Sequence, residues 1–290
     1  MRNLNKVLTN LIISYKVNKG SFMNKIFHAL LNEAKFTSEM LSAGYNQIGK
    51  ANFTQKGIYF QAFTSLSTGL ERLGKLNIIL EFIILNNGDL PRDDYMKHEI
   101  GHDLEKIYFL NKEIKNRHNI IANGLQDLES DIYRKILSIL SKFGKGDRYS
   151  NIDLIINKLN YIDPIISWNK DIDMEIFNKK INKNKKTYIE ATSQFLDNIL
   201  SNDSIVVHNT ENGNDISTIY NYNFQSQIYY AVERYRRIYV YQIIRYFVEI
   251  LFELQRIIKK SNIFNIPHFS EIFYIYYYDE NYIKRRKTLI

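Results

Sequence analysis

The sequence predicts an all-α protein, and three observations carry that expectation. Apolar residues recur at steps of three and four over long stretches, most plainly Ile228, Val232, Tyr235, Tyr239, Ile243, Tyr246, Ile250, Leu254 and Ile257. Only three prolines and twelve glycines interrupt 290 residues, too few turn-formers for a many-stranded sheet. Hydrophobic residues make up 45% of the chain and charged residues 24%, a balance suited to a buried core under a solvated surface.

Taken in order, Val7 to Tyr15 is an apolar run too short to span a bilayer, and it lacks a small-residue cleavage site. It predicts neither anchor nor signal peptide, and no membrane association is expected. Lys19-Gly20-Ser21-Phe22 can be encoded by a purine-rich stretch like a ribosome-binding site, so either Met1 or Met23 is the expected start of translation. Ile26, Leu30, Leu31 and Ala34 place a first amphipathic helix over 24–42, and Gly44 and Gly49 mark a bend.

The second helix is the centre of the prediction. Leu66, Leu70, Leu73, Asn77 and Leu80 form one stripe, while Ile78, Ile79, Phe82 and Ile83 wrap its later turns, the pattern of a helix buried on all sides. Opposite the stripe stand Glu71, Arg72 and Lys75, with Glu71 one turn before Lys75 and able to pair with it. Asn86-Asn87-Gly88-Asp89 ends this helix, Pro91 favours a new start, and Asp103 caps a helix carrying Leu104, Ile107, Tyr108 and Ile114. Leu125, Leu128, Ile132, Ile136 and Leu140 mark another, stopping near Gly144.

Beyond it, Trp168 reads as a packing anchor. The Asn- and Lys-rich segment to Lys186 and the polar run 201–217 read as exposed loops, with a helix over 189–199 between them. One very long helix is expected over 224–260, with Arg234, Arg236, Arg237 and Arg245 on its solvated faces. The organisation is a helical bundle over 1–160 and a helical extension over 161–290 that packs back on it.

Composition narrows function by exclusion. No cysteine occurs, so disulfides, thiolate metal sites and cysteine nucleophiles are ruled out, and a cytoplasmic location is expected. The formal charge is +8, with eight basic against two acidic residues in 1–60 and basic clusters at 179–186 and 284–287. Such an excess suits a polyanionic partner, RNA or DNA, through counterion release.

Two constellations carry chemistry. His98-Glu99-Ile100-Gly101-His102 spells H-E-x-x-H, which on one continuous helix sets two imidazoles a turn apart for zinc, with Glu99 as general base. Gly101-His102-Asp103, however, has the form of a helix start, which breaks the helix that reading needs. Arg92 and His98 are separated by five residues and form the second constellation.

Ser67-Thr68-Gly69-Leu70-Glu71-Arg72-Leu73-Gly74-Lys75-Leu76, followed by Gly101-His102-Asp103-Leu104-Glu105-Lys106-Ile107-Tyr108, resembles the HEPN superfamily of helical-bundle proteins over about residues 50–150, especially members tied to abortive infection and toxin–antitoxin systems. The resemblance implies a cytoplasmic antiviral-defence or toxin-like protein acting on RNA as a metal-independent endoribonuclease without a cofactor. Arg92 and His98 match the family's Arg-x(4–6)-His motif, Glu71 and Lys75 match its accompanying polar pair, and His102 and Asp103 are further supporting polar residues, a His-Asp pair that caps the next helix. The histidine would assist attack by the RNA 2′-hydroxyl and the arginine would neutralise the phosphorane. The resemblance further implies a homodimer with Arg92 at its seam and a cognate antitoxin or other defence protein as partner. A second reading is a non-catalytic helical binding or oligomerisation module, and a third is the zinc peptidase.

Overall fold

The computed structural model describes the backbone of residues 2–158, 162–202 and 204–289 and, within these, the side chains of all but residues 2–24, 98 and 99. It is all-α. The first helix, α1 (Arg2–Ile48), does not bend at Gly44 but runs through it, because that glycine is where α2 (Gly57–Leu85) comes close. A Cβ on Gly44 would lie 2.6 Å from Leu66 Cγ, and one on Gly69 of α2 would lie 2.8 Å from Leu41 Cγ. Each helix thus seats the other's leucine over its own glycine. The apolar run Val7 to Tyr15 and Met23 fall in the part of α1 whose side chains are outside the described residues.

α2 is the central helix that its apolar pattern predicts, with Leu66, Leu70, Leu73, Leu80 and Ile83 buried. Asn77, on the same stripe, is buried too, and its amide donates to Asn111 Oδ1 at 2.7 Å and to the Phe247 carbonyl at 3.0 Å. Asn87 and Gly88 end α2 with φ of 51° and 98°. A π-helical turn, Tyr95–Ile100, then leads to α3 (Leu104–Arg117). α4 spans Asp131–Lys145, later than expected, because Leu125 and Leu128 belong to a loop tied down by the Tyr108 hydroxyl, which accepts from Leu128 N at 2.9 Å. Its Ile132, Ile136, Leu140 and Phe143 face the core.

Short helices follow: α5 (Ser150–Ile155), α6 (Pro164–Trp168), α7 (Met174–Lys180) and α8 (Lys183–Leu200). The Asn- and Lys-rich segment is therefore mostly helical rather than a loop. Asn182 separates α7 from α8 and caps α8 by accepting from Lys185 N at 2.8 Å. Trp168 is buried with its ring centroid 5.2 Å from that of Phe63. The run 201–217 is largely exposed and holds a two-stranded hairpin, β1 (His208–Asn209) with β2 (Asp215–Ile216).

α9 (Ile219–Ser261) crosses the whole molecule and packs on α1, α2, α7 and α8. It revises the expectation of solvated arginines: Arg234 is exposed as expected, but the others are not. Arg236 and Arg237 are buried, and Arg245 pairs with Glu249 at 2.7 Å. Arg236 binds Asp173 through two hydrogen bonds of 2.5 and 2.6 Å and reaches the Ala51 carbonyl and the Tyr59 hydroxyl, which in turn donates to Glu211 of the hairpin loop.

α10 (Phe269–Ile272) and α11 (Glu280–Arg285) flank the aromatic run 273–278, of which Phe273, Ile275 and Tyr276 pack within their own chain. Asn46 of α1 holds the backbone of Leu289, accepting from its N at 2.8 Å and donating to its carbonyl at 2.9 Å. One hydrophobic core takes in residues from Leu30 to Leu289. Among the described residues no helix is long and apolar enough to cross a membrane.

Candidate functional site

The chemistry-bearing residues meet where three pieces of chain converge: the polar face of α2, the corner before α3, and the end of α4. The corner forms because Gly101 takes φ 65° and ψ −145°, close to a conformation that glycine alone adopts readily. That turn ends the π-helix, so His102 is not on one helix with His98. Asp103 then caps α3, accepting from Glu105 N at 3.0 Å and Lys106 N at 3.3 Å. Its carboxylate also accepts from Ser141 Oγ at 3.0 Å and from Lys145 Nζ at 2.6 Å, which latches the start of α3 to α4. Partial burial pushes this carboxyl up, but the hydrogen bonds from Lys145, the Lys106 backbone and Ser141 outweigh it and hold its pKa below the ordinary value.

Glu71 is the hub of the site. One of its oxygens lies 2.8 Å from Lys75 Nζ and 2.8 Å from His102 Nδ1. The Glu71 side chain is 21% exposed and the His102 ring 79%, so the carboxylate is fixed in the wall while the imidazole stands at the mouth. The four supporting polar residues, Glu71, Lys75, His102 and Asp103, thus come together in one place.

Around them lies a cleft of about 540 Å³ lined by Thr64, Ser67, Thr68, Glu71, Arg72, His102, Phe143, Gly144, Lys145 and Arg148. Two of its cations are matched locally: Arg72 binds both oxygens of Glu33 at 2.8 Å, and Lys145 binds Asp103. Arg148 makes no ion pair among the described residues, and its guanidinium lies over the Tyr149 ring, 5.1 Å from the centroid. Arg148 and Lys145 were not singled out by sequence reasoning. Their signal was Gly144-Lys145-Gly146-Asp147-Arg148-Tyr149, a basic, aromatic turn read only as a helix stop.

Arg92 lies elsewhere. It is exposed between two shallow grooves, one lined by Phe82, Asn86 and Tyr95, the other by Ile26, Leu76, Ile79 and Met96. Asp93 beside it pairs with Lys97 at 2.6 Å. The side chains of His98 and Glu99 lie outside the described residues. Among the described residues no group of three His, Asp or Glu side chains is placed to hold a metal ion, and Gly101 denies the H-E-x-x-H string its continuous helix.

Compared with known proteins, the chain matches no family model, no curated protein and no solved structure.

Proposed function

We propose that this chain acts on RNA in the cleft beside α2, as a metal-independent endoribonuclease of the toxin or antiviral-defence kind. The observation that supports it is the Glu71–His102 contact of 2.8 Å at the mouth of a cleft whose Arg148 has no carboxylate partner among the described residues. Glu71 accepts the Nδ1 proton of His102, which leaves Nε2 as the basic nitrogen. Nε2 then takes the proton of an RNA 2′-hydroxyl as that oxygen attacks the adjacent phosphorus. Arg148, with Arg72 and Lys145 nearby, offsets the charge of the phosphorane, the 5′-oxygen leaves, and a proton from His102 or water completes it. The products are a 2′,3′-cyclic phosphate and a 5′-hydroxyl.

Arg92 and His98 form the rival catalytic pair that the HEPN resemblance implies. The apolar groove beside Arg92 is suited to a two-fold seam, where a second copy would bring its own pair close. The test is cleavage of a mixed-sequence RNA in EDTA by wild type, His102→Ala, Arg148→Ala, Arg92→Ala and His98→Ala, with analysis of the end groups. Loss in the first two variants alone supports catalysis in the cleft. Loss in the last two alone transfers catalysis to the Arg92 seam. RNA binding without cleavage by wild type supports the non-catalytic binding module.

A further inference from the structure

We infer that Phe36 and Tyr149 are base-stacking platforms at the rim of the cleft, and that the cleft therefore takes single-stranded rather than double-stranded RNA. This rests on the RNA reading and specifies its substrate.

The inference starts from how the cleft's two arginines are held. Arg72 lines the cleft and lies over the Phe36 ring, 4.8 Å from its centroid; Arg148 lines the cleft and lies over Tyr149 at 5.1 Å. Both rings are 48% exposed, whereas Tyr45 further along α1 and Phe63 on α2 are fully buried. An exposed aromatic is by itself unremarkable. Here the two rings that carry the cleft arginines are both half open to solvent, and they come from different elements, α1 and the turn after α4.

The Arg148–Tyr149 pair joins an unmatched cation for a phosphate to a flat ring for a base, while Arg72 is already bound by Glu33 and Phe36 contributes the ring alone. A single strand offers both in alternation, since its phosphates follow the basic groove while its unstacked bases lie on aromatic rings. A duplex keeps its base faces covered and presents only phosphates and groove edges, so it gains nothing from either ring. The arginine on each ring also fixes the ring's orientation, which lowers the entropy lost when a base arrives.

The test uses fluorescence anisotropy with a labelled RNA of about ten nucleotides, within the site size of single-strand binders, 2′-O-methylated so that it cannot be cleaved. Wild type, Phe36→Ala, Tyr149→Ala, Tyr149→Phe and Arg148→Ala are compared on this strand and on its duplex, with circular dichroism to confirm the fold. The strand should bind about tenfold or more tighter than the duplex. Phe36→Ala and Tyr149→Ala should each weaken strand binding by about tenfold, the usual effect of removing one stacked base, while Tyr149→Phe keeps wild-type affinity. Equal affinity for strand and duplex overturns the inference. So does unchanged binding in both alanine variants while Arg148→Ala weakens it, an outcome that leaves the RNA reading intact. Failure of wild type to bind either RNA rejects that reading and this inference together.

Discussion

Arg236 of α9 and Asp173 just before α7 form an ion pair in which both side chains are only 1% exposed. Two of the guanidinium's nitrogens face the two carboxylate oxygens, and the Ala51 carbonyl and Tyr59 hydroxyl take further donors. Breaking one side leaves an uncompensated charge in a dry interior. Asp173→Leu and Arg236→Met should each destabilise the fold by about 3–5 kcal/mol, and the double variant should recover most of that. Urea unfolding of the three variants checks it; a double variant no more stable than the singles would refute the account.

How much of this was legible in the sequence depends on the range of the interaction. Local rules sufficed for α2, whose apolar wrap marks burial, for the stop at Asn87 and Gly88, and for the Asp103 cap. They failed for Arg236, because a helix pattern shows which face a residue occupies but not that Asp173, distant in sequence, waits there. They failed at Gly44 for the same reason: its bend-forming chemistry is read locally, while its use as a seat for Leu66 depends on a second helix. For the site, Glu71, Lys75, His102 and Asp103 could be singled out by pattern, but Lys145 and Arg148 join them only through the packing of α4 on α2 and α3.

The reciprocal seats of α1 and α2 make a second prediction. Gly69→Ala raises helix propensity by about 1 kcal/mol, yet its methyl must displace Leu41, so the net should be a loss of about 1–3 kcal/mol. Gly57→Ala is the control, since an added methyl there meets nothing within 4 Å. It should be neutral or gain up to about 1 kcal/mol. Thermal melts of the two variants should therefore move apart.

Asp103 links stability to pH. Its carboxyl is held below the ordinary value of 3.8 in the folded chain, so ionisation favours folding. That contribution is present above pH 3.8 and is lost as pH falls through the lower folded value. Asp103→Asn keeps the cap and should lose only the part of the acid dependence that comes from this residue. Asp103→Ala also removes the cap and should be less stable at neutral pH by about 1 kcal/mol. Unfolding midpoints at pH 7 and pH 3 would show the difference, and parallel pH profiles for all three proteins would contradict it.

Arg148 has an affinity and a salt signature. If RNA phosphate replaces the missing carboxylate, Arg148→Ala should weaken RNA binding across all sequences and reduce the salt dependence of log K by about one unit of slope. Lys260→Ala, at the end of α9, should leave that slope unchanged. Anisotropy titrations at several salt concentrations measure both.

The Arg92 face carries the assembly prediction. A homodimer sealed through the groove of Ile26, Leu76, Ile79 and Met96 should dissociate in Ile79→Asp, with the α-helical circular dichroism unchanged. Light scattering at micromolar concentration reads the mass directly. A wild-type monomer would count against the seam.

The grip of Asn46 on Leu289 ties α1 to a segment far along the sequence. Residues 46 and 289 are separated by 243 positions, yet each satisfies the other's polar groups. Between them α9 must arrive to cover α2, so the apolar surface of α2 stays partly open until residues 219–261 are in place. Closing the bundle therefore depends on contacts of long sequence range, whose loop-closure entropy must be met before the contacts can form.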